Sequence, residues 1–193
     1  MLKALLVWLL AAPPLTTVRV VALGDFPPAQ VAEVARALEA ALPVRVEIGP
    51  TLPLPASAWY APRRRYKADR LLTFLAPHAP PGGKVLGLLR PDISTTTETH
   101  ADWGIFGLAT LGGPSGVVST FRLRRHRPTP ARLRHRLAST AVHEVGHTLG
   151  LPHCPEAGCV MQDAEGSIAN TDAGDGRLGP KCGELLGIPA TGP

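Results

Sequence analysis

Three histidines of this chain can meet only if a helix carries the first two and ends at a glycine before the third. They lie in the segment HEVGHTLGLPH, which runs from His143 to His153. In a helix, His143 and His147 lie about one turn apart on one face, so their imidazoles can share a metal ion. Gly150 adopts left-handed backbone conformations at little cost, so the chain can leave the helix there and bring back His153 as a third ligand.

The same segment predicts a zinc hydrolase. Three imidazoles suit zinc and leave a fourth position open, which is typical of catalytic zinc sites and not of structural ones. Glu144 lies between the first two histidines at an offset that keeps it off the metal. We therefore expect hydrolysis by a zinc-activated water, with Glu144 as the general base. Glu165 is a rival third ligand of the thermolysin type, but His153 is favoured because no acidic residue follows Glu165 at the short spacing that such a second motif needs.

Length and composition favour one domain. With 193 residues, of which 45 % are hydrophobic, the chain is long enough for one well-buried core and too short to expect two. The net charge of +5 comes mainly from two arginine clusters, Arg63–Arg65 and a longer one from Arg122 to Arg136. No nucleic-acid motif accompanies them, so we expect a solvated basic face and no nucleic-acid partner. We also expect a monomer.

Residues 1–17 form a predicted extension, and the zinc hydrolase domain is expected to span residues 18–193. Lys3 and the apolar run Ala4–Ala12 resemble a signal peptide, which predicts a secreted or periplasmic protein. Pro13 and Pro14 disfavour cleavage after Ala12, so a misplaced start codon or a packed first strand in a cytoplasmic protein is the alternative. The run is too short to span a bilayer, and we expect no stable membrane insertion.

The order of predicted elements indicates an α/β (α+β) fold. Strand Val18–Leu23, a helix from Pro27 or Pro28 to about Leu42 and strand Val44–Ile48 form a βαβ unit with parallel strands. The later segments predict a loop over 50–62, a helix over 67–76, a strand over 85–89, a hairpin of strands 105–109 and 117–123, and a long helix from Thr129 or Pro130 that carries His143 and His147.

The histidine segment and the residues after it resemble the archaemetzincins, a branch of the metzincin-type zinc peptidases. Cys154 follows the third histidine directly, and Cys159-Val160-Met161 matches the family's second cysteine and its CxM. The segments Val20–Gly24, Lys67–Leu75, Val85–Asp92 and Phe106–Ser119 are also similar to family segments, so the resemblance covers about Val18 to Cys182. It implies a single domain with a mixed, mostly parallel sheet, backing helices, a zinc-binding helix and a compact C-terminal part in which Met161 occupies the turn under the histidines.

The resemblance also implies a second zinc bound by four cysteines, and here the chain departs from the family. The terminal CxxC would occupy positions 179 and 182, but the chain has Gly179 and Cys182. Cys154, Cys159 and Cys182 could still hold zinc if water, Asp175 or a nearby histidine completes the tetrahedron. In an exported protein, Cys154 and Cys159 could instead form a disulfide, and plain buried thiols are a further alternative.

A peptide or protein is the expected substrate. By resemblance, an extended peptide would lie along an edge strand above the cleft, and the candidates for that edge are Gly104–Thr110 and Val117–Leu123. The rival hypothesis is a catalytically inactive, zinc-stabilised peptide-binding or structural module, which the altered cysteine set suggests. Glu144 argues against it, because a structural site needs no base beside its ligands.

Overall fold

The computed structural model describes residues 15–164 and 166–188. The apolar run Ala4–Ala12, on which the signal-peptide prediction depends, and the rival ligand Glu165 lie outside the described residues. Thr16 and Thr17, the last residues of the predicted extension, belong to the first strand. A helix that crosses a membrane would need a longer apolar run than any helix within the described ranges provides.

The described chain opens with the strand, helix and strand that the sequence predicts. The elements in chain order are β1 (Thr16–Ala22), α1 (Pro28–Ala41), β2 (Val44–Ile48), β3 (Trp59–Tyr60), β4 (Arg65–Lys67), α2 (Ala68–Leu75), β5 (Lys84–Leu89), β6 (Ile93–Thr95), β7 (Trp103–Ile105), β8 (Gly107–Ala109), β9 (Ser115–Ser119), α3 (Thr120–Leu123), α4 (Pro130–Thr148), α5 (Ala169–Ala173) and α6 (Pro180–Leu185). Short 3₁₀ turns occupy Ala56–Ala58, Ala61–Arg63 and Ala76–His78. The predicted helices near 28–42, 67–76 and 130–148 are confirmed.

The main sheet has five strands in the order β2-β1-β5-β9-β8. β1 is parallel to both β2 and β5, and β5 is parallel to β9. β8 joins the edge antiparallel to β9, with Leu108 opposite Val117. The predicted βαβ unit and the mixed, mostly parallel sheet are therefore confirmed, and the one antiparallel strand of this sheet lies at its outer edge.

Side-chain alternation along β1 explains why helices cover both faces of the sheet. Val18 and Val20 face a core that includes residues of α1 and α4, whereas Val21 faces a second core that includes residues of α2. These three valines are at most 1 % exposed. Because successive side chains of a strand point to opposite faces, one strand contributes to both layers. The result is a three-layer arrangement in which α4 backs the sheet behind the β8 edge.

A smaller second sheet was not predicted from sequence. Its strand order is β3-β4-β6-β7, with β4 and β6 parallel and the other pairs antiparallel. The buried Asp92 ties it to the rest of the domain, because its carboxylate accepts hydrogen bonds from the Arg122 guanidinium of α3 at 2.7 and 3.0 Å. Beside β7, Asp102 pairs with Lys67 of β4 at 2.9 Å. This sheet holds β7 beside β8 at the rim of the cleft described below.

Three predicted segments need correction. The strand predicted over Val117–Leu123 ends at Ser119, because the Ser119 hydroxyl accepts a hydrogen bond from the Phe121 amide and starts α3. The strand predicted over Ile105–Ala109 is split at Phe106 into β7 and β8, which belong to different sheets. The stretch 50–62 contains 3₁₀ turns and β3 where a plain loop was expected.

Candidate metal centre

Helix α4 positions the first two histidines. It begins at Pro130, and the Thr129 hydroxyl caps it by accepting a hydrogen bond from the Arg132 amide at 3.2 Å. The apolar residues Leu137, Ala141, Val142 and Val145 recur at helical spacing and are at most 2 % exposed, so they fix the rotation of the helix against the sheet. His143 and His147 consequently face the cleft and not the core.

The turn at the end of α4 places the third histidine beside the first two. Gly150 has a φ of 95°, a conformation that a side chain would strain. The Leu151 amide donates to the Gly146 carbonyl at 3.0 Å, and the Gly150 amide donates to the His147 carbonyl at 2.9 Å. These two bonds form a Schellman motif, which reverses the chain after the helix. His153 returns to the first two histidines, and ring nitrogens of the three lie within 4.8 Å of one another. We call His143, His147 and His153 the histidine centre.

Hydrogen bonds decide which ring nitrogens are free to bind a metal. Nδ1 of His143 lies 2.7 Å from the Val160 carbonyl oxygen, and Nδ1 of His147 lies 2.8 Å from the Leu151 carbonyl oxygen. A carbonyl only accepts, so Nδ1 carries the proton in both rings and Nε2 of each neutral ring carries a lone pair. Asp163 lies 3.4 Å from Nδ1 of His153. Partners of this kind orient imidazole ligands in metal sites.

The donor set fits zinc. Nε2 of His143 and Nε2 of His147 are 3.0 Å apart. Burial lowers the pKa of His143 to about 4, and burial also lowers the pKa of His147. Both rings are therefore neutral at pH 7, and two lone pairs face each other without a proton between them. A cation between them removes this repulsion, and two ligands about 2.05 Å from a tetrahedral zinc are about 3.3 Å apart, close to the observed separation.

Glu144 lies beside the histidine centre and below the edge strand β8. Its side chain is buried, and a Cβ placed on Gly107 would lie 2.5 Å from Oε1 of Glu144. Burial raises the pKa of Glu144 to about 8. A cation held by the adjacent histidines favours the carboxylate and opposes this shift. A group whose charge is balanced in this way can both accept and release a proton near neutral pH.

Met161 packs under the histidine-bearing helix. It is fully buried, and a Cβ on Gly146 would lie 2.5 Å from the Met161 sulfur. The Met161 carbonyl also accepts a hydrogen bond from the Cys154 amide at 2.9 Å. Met161 therefore joins the helix that carries His143 and His147 to the segment that carries His153.

The three cysteines form a separate cluster, which we call the thiol centre. Cys154, Cys159 and Cys182 are free and buried, and their sulfurs lie within 4.8 Å of one another. The sulfurs of Cys159 and Cys182 are 3.7 Å apart. This distance exceeds the disulfide bond length of about 2.05 Å, so these two residues are thiols. The structure brings together all three cysteines that the sequence indicated.

Asp175, a candidate for completing the thiol centre, lies elsewhere. Its side chain is 65 % exposed, and Oδ1 accepts a hydrogen bond from the Arg177 amide at 2.9 Å. Among the described residues it does not belong to the thiol centre, nor does any histidine. Glu156 is also outside the group of ligand atoms that lie within 4.8 Å of one another, but it approaches one of the three sulfurs, since its Oε2 lies 3.7 Å from the Cys154 sulfur.

A cleft of about 490 Å³ runs past the histidine centre. β7 and β8 form one wall, α4 forms the floor, and the C-terminal segment forms the other wall, with Trp103, Thr140, Gln162 and Asn170 among the lining residues. Sequence reasoning missed these four residues and Gly107. Gly107 could have been recognised from the sequence, since a glycine within a strand often marks the close approach of another group. No feature of the sequence pattern distinguishes the other four residues.

The arginine clusters are partly paired with acids. Arg65 and Arg122 both contact Asp92, and Arg136, which is 4 % exposed, donates to the Asp172 carboxylate at 2.7 and 2.8 Å. Arg124, Arg125 and Arg127 are exposed. Much of the apparent positive charge is thus neutralised locally, in keeping with a solvated basic face.

The chain is similar to known proteins over most of its length, including the histidine centre. The model of peptidase family M54 matches residues 104–187. The archaemetzincin of Haloquadratum walsbyi is 29 % identical over 176 residues, which cover 88 % of this chain and 98 % of that protein. The archaemetzincin of Natronomonas pharaonis is 31 % identical over 151 residues, which cover 75 % of this chain and 84 % of that protein.

Solved structures show the same fold. The crystal structure of archaemetzincin from Methanopyrus kandleri has a TM-score of 0.78 and 29 % identity, and the match covers 93 % of this chain and 97 % of that chain. The crystal structure of archaemetzincin from Archaeoglobus fulgidus, complexed with malonate, has a TM-score of 0.74 and 29 % identity, with coverage of 88 % and 99 %. The chain therefore belongs to the archaemetzincins, peptidase family M54, and is a zinc metallopeptidase.

Proposed function

We propose that this chain hydrolyses peptide bonds at the histidine centre, with His143, His147 and His153 as zinc ligands and Glu144 as the general base. One observation carries the assignment. Unprotonated Nε2 atoms of His143 and His147 face each other at 3.0 Å, beside the buried carboxylate of Glu144 and at the floor of an open cleft. A purely structural zinc site is closed by four protein ligands and has no use for the neighbouring base.

The chemistry divides between the metal and Glu144. When bound, zinc supplies a Lewis acid that polarises the scissile carbonyl and makes water a stronger nucleophile. Glu144 accepts a proton from the attacking water on its carboxylate oxygen. It then releases that proton to the nitrogen of the leaving amine, so one carboxylate serves as base and acid. The buried position of Glu144 keeps its pKa high enough for the second step.

An extended peptide substrate would pair with β8. In an antiparallel ladder, the backbone groups of alternate residues face the neighbouring strand. The Phe106 carbonyl and the Thr110 amide bond to β9, so the backbone groups of Gly107 and Ala109 face the open side. A peptide that adds to this edge passes directly over Glu144, because Gly107 has no side chain between them. β9 is excluded as the edge, since it lies between β5 and β8.

Support for the ligands comes from residues that do not bind the metal. We assign Gly150 the role of turning the chain toward the cleft, and Met161 the role of holding the histidine-bearing helix against the His153 segment. We further assign the thiol centre a second, structural zinc. Three buried sulfurs within 4.8 Å of one another match the usual ligand type of structural zinc sites.

The test compares the wild type with Glu144→Gln, which keeps the shape of the side chain and removes its basicity. We expect the variant to retain zinc and to lose cleavage of a peptide library by about 10²- to 10⁴-fold. Glu184→Gln is the matched control, because Glu184 is exposed on α6 and should leave both properties unchanged. Zinc content is measured by elemental analysis, and cleavage by mass spectrometry.

The rival hypothesis of an inactive zinc-stabilised module makes a different prediction for the same experiment. In that case the wild type, Glu144→Gln and the control would all hold zinc, and none would cleave any peptide. Equal cleavage by the wild type and Glu144→Gln would contradict the role of Glu144 and leave the zinc ligands in place.

A further inference from the structure

The thiol centre has the spacing of a tetrahedral zinc site with one position unfilled by cysteine. Two sulfurs about 2.3 Å from a tetrahedral zinc are about 3.8 Å apart, and Cys159 and Cys182 are separated by 3.7 Å. Three thiolates leave one position for a fourth ligand. The cysteine that would supply it by family resemblance is Gly179 in this chain.

Space, and not backbone conformation, is what limits a side chain at position 179. Gly179 caps α6 with φ −69° and ψ 163°, which any residue adopts. A Cβ at this position, however, would overlap Oε2 of Glu156 and lie 3.2 Å from the Cβ of Cys159. The Glu156 carboxylate therefore occupies the space into which the side chain of a residue at position 179 would extend.

The Glu156 carboxylate also has the distance expected of a ligand from one of the three sulfurs, that of Cys154, although it does not lie within 4.8 Å of all three. Binding to a shared zinc therefore requires the side chain to turn toward Cys159 and Cys182. Its Oε2 lies 3.7 Å from the Cys154 sulfur. A sulfur about 2.3 Å and an oxygen about 2.1 Å from the same tetrahedral zinc are about 3.6 Å apart. Glu156 is partly buried, and the Cys159 amide donates to its carbonyl at 3.2 Å, so a tight turn holds it between the first two cysteines.

We propose that Glu156 is the fourth ligand of the second zinc, so that the thiol centre is a Cys₃Glu site in which a carboxylate replaces the cysteine absent at Gly179. The inference rests on the second zinc of the proposed function. The Gly179 amide contributes as well, because it donates a hydrogen bond to the Cys159 sulfur at 3.1 Å. Such a bond stabilises the thiolate that a metal requires.

Three variants test the exchange of ligands, with zinc alone as the probe. Glu156→Ala removes the carboxylate, Gly179→Cys restores the fourth thiol, and the double variant does both. Glu184→Ala is the matched control, since it removes an exposed glutamate from the helix that carries Cys182. Zinc per chain, competition with a chromophoric chelator and the absorption of the cobalt(II)-loaded protein are measured, and circular dichroism checks folding.

We expect two zinc ions per chain in the wild type and the control. Glu156→Ala should hold the second ion at least about tenfold more weakly. Gly179→Cys alone should gain nothing, because its side chain meets the Glu156 carboxylate. The double variant should regain wild-type affinity, and its cobalt form should absorb more strongly in the thiolate charge-transfer band, with four thiolates in place of three.

Two results would overturn the assignment of Glu156 while sparing the second zinc. One is a second ion held as tightly by Glu156→Ala as by the wild type, and the other is an equal gain in affinity from Gly179→Cys with and without Glu156. If Glu156→Ala does not fold, the cobalt spectrum of the double variant still decides, because a carboxylate without a ligand role would leave Gly179→Cys with the same four-thiolate absorption as the double variant. A single zinc per wild-type chain would remove the second site altogether, and the Glu144 experiment would still test the histidine centre.

Discussion

The histidine centre and the thiol centre are adjacent in sequence, yet they are built in opposite ways. His153 is half exposed, whereas Cys154, the next residue, is 6 % exposed. The histidine centre takes two of its three residues from one long helix and borders the cleft, whereas the thiol centre joins a loop to the short helix α6 and is buried, with Cys159 lying behind the cleft wall. Under the proposed function, the contrast teaches that an open catalytic site is supported by a buried one, since Cys154 directly follows the third histidine and its amide is held by the Met161 carbonyl.

The largest effect that separates the two centres is expected from His143→Ala. It removes a ligand of the open site only, so zinc should fall by one ion per chain and cleavage by more than about 10³-fold. The melting temperature should change little, because the thiol centre remains intact. His126→Ala is the control, since His126 is exposed and outside the histidine centre. Unaltered cleavage by His143→Ala would show that the catalytic zinc is bound elsewhere.

Cys182→Ser should have the reverse effect. It opens the closed site, so we expect the free energy of unfolding to fall by at least about 3 kcal/mol. Cleavage at saturating zinc should fall less than tenfold, because the histidine ligands remain. Urea unfolding and zinc analysis measure both. If unfolding and zinc content stay as in the wild type, the thiol centre holds no metal.

Gly107→Ala is expected to lower turnover without lowering zinc content. The added methyl would lie 2.5 Å from Oε1 of Glu144 and displace the base, which should reduce kcat by about tenfold to a hundredfold. Gly116→Ala is the matched control on the neighbouring strand, where a Cβ meets its nearest neighbours at 3.4 Å. Equal effects of the two substitutions on kcat would indicate general strain in the sheet and not displacement of Glu144.

The smallest effect is expected at the ion pair of Asp172 with Arg136, which fastens α5 to α4 below the open site. Hydrogen bonding to Arg136 holds the pKa of Asp172 below its usual value of about 3.9. A lowered pKa in the folded protein stabilises it above about pH 4, and this contribution is lost as the pH falls through the lowered pKa. Asp172→Asn should therefore cost about 2 kcal/mol at pH 6.

Urea unfolding between pH 6 and pH 3 checks this prediction. The difference between the wild type and Asp172→Asn should be constant down to about pH 5 and shrink below about pH 4. Asp175→Asn serves as the control, because Asp175 is mostly exposed. A difference that grows toward acid would contradict the sign.

Local features of the chain were predictable in detail. The cap at Thr129, the turn at Gly150 and the opening βαβ unit each depend on residues within a few positions of one another, so the sequence pattern suffices. The strand predicted through Leu123 was wrong because a single hydroxyl, that of Ser119, outweighed the β propensity of the residues around it. The second sheet was missed because its strands have only two or three residues, too few for any periodicity.

The sequence by itself determined the ligand types, their spacing and the helix that carries them, because side-chain chemistry and helix geometry act over one or two turns. Only the tertiary structure decided that Gly107 lies against Glu144, that β8 is the open edge, and that Glu156 occupies the space beside Gly179. Each of these contacts joins segments that are distant in sequence or depends on which side chain fills a shared space. Close packing of the folded chain, and not any local preference, determines them.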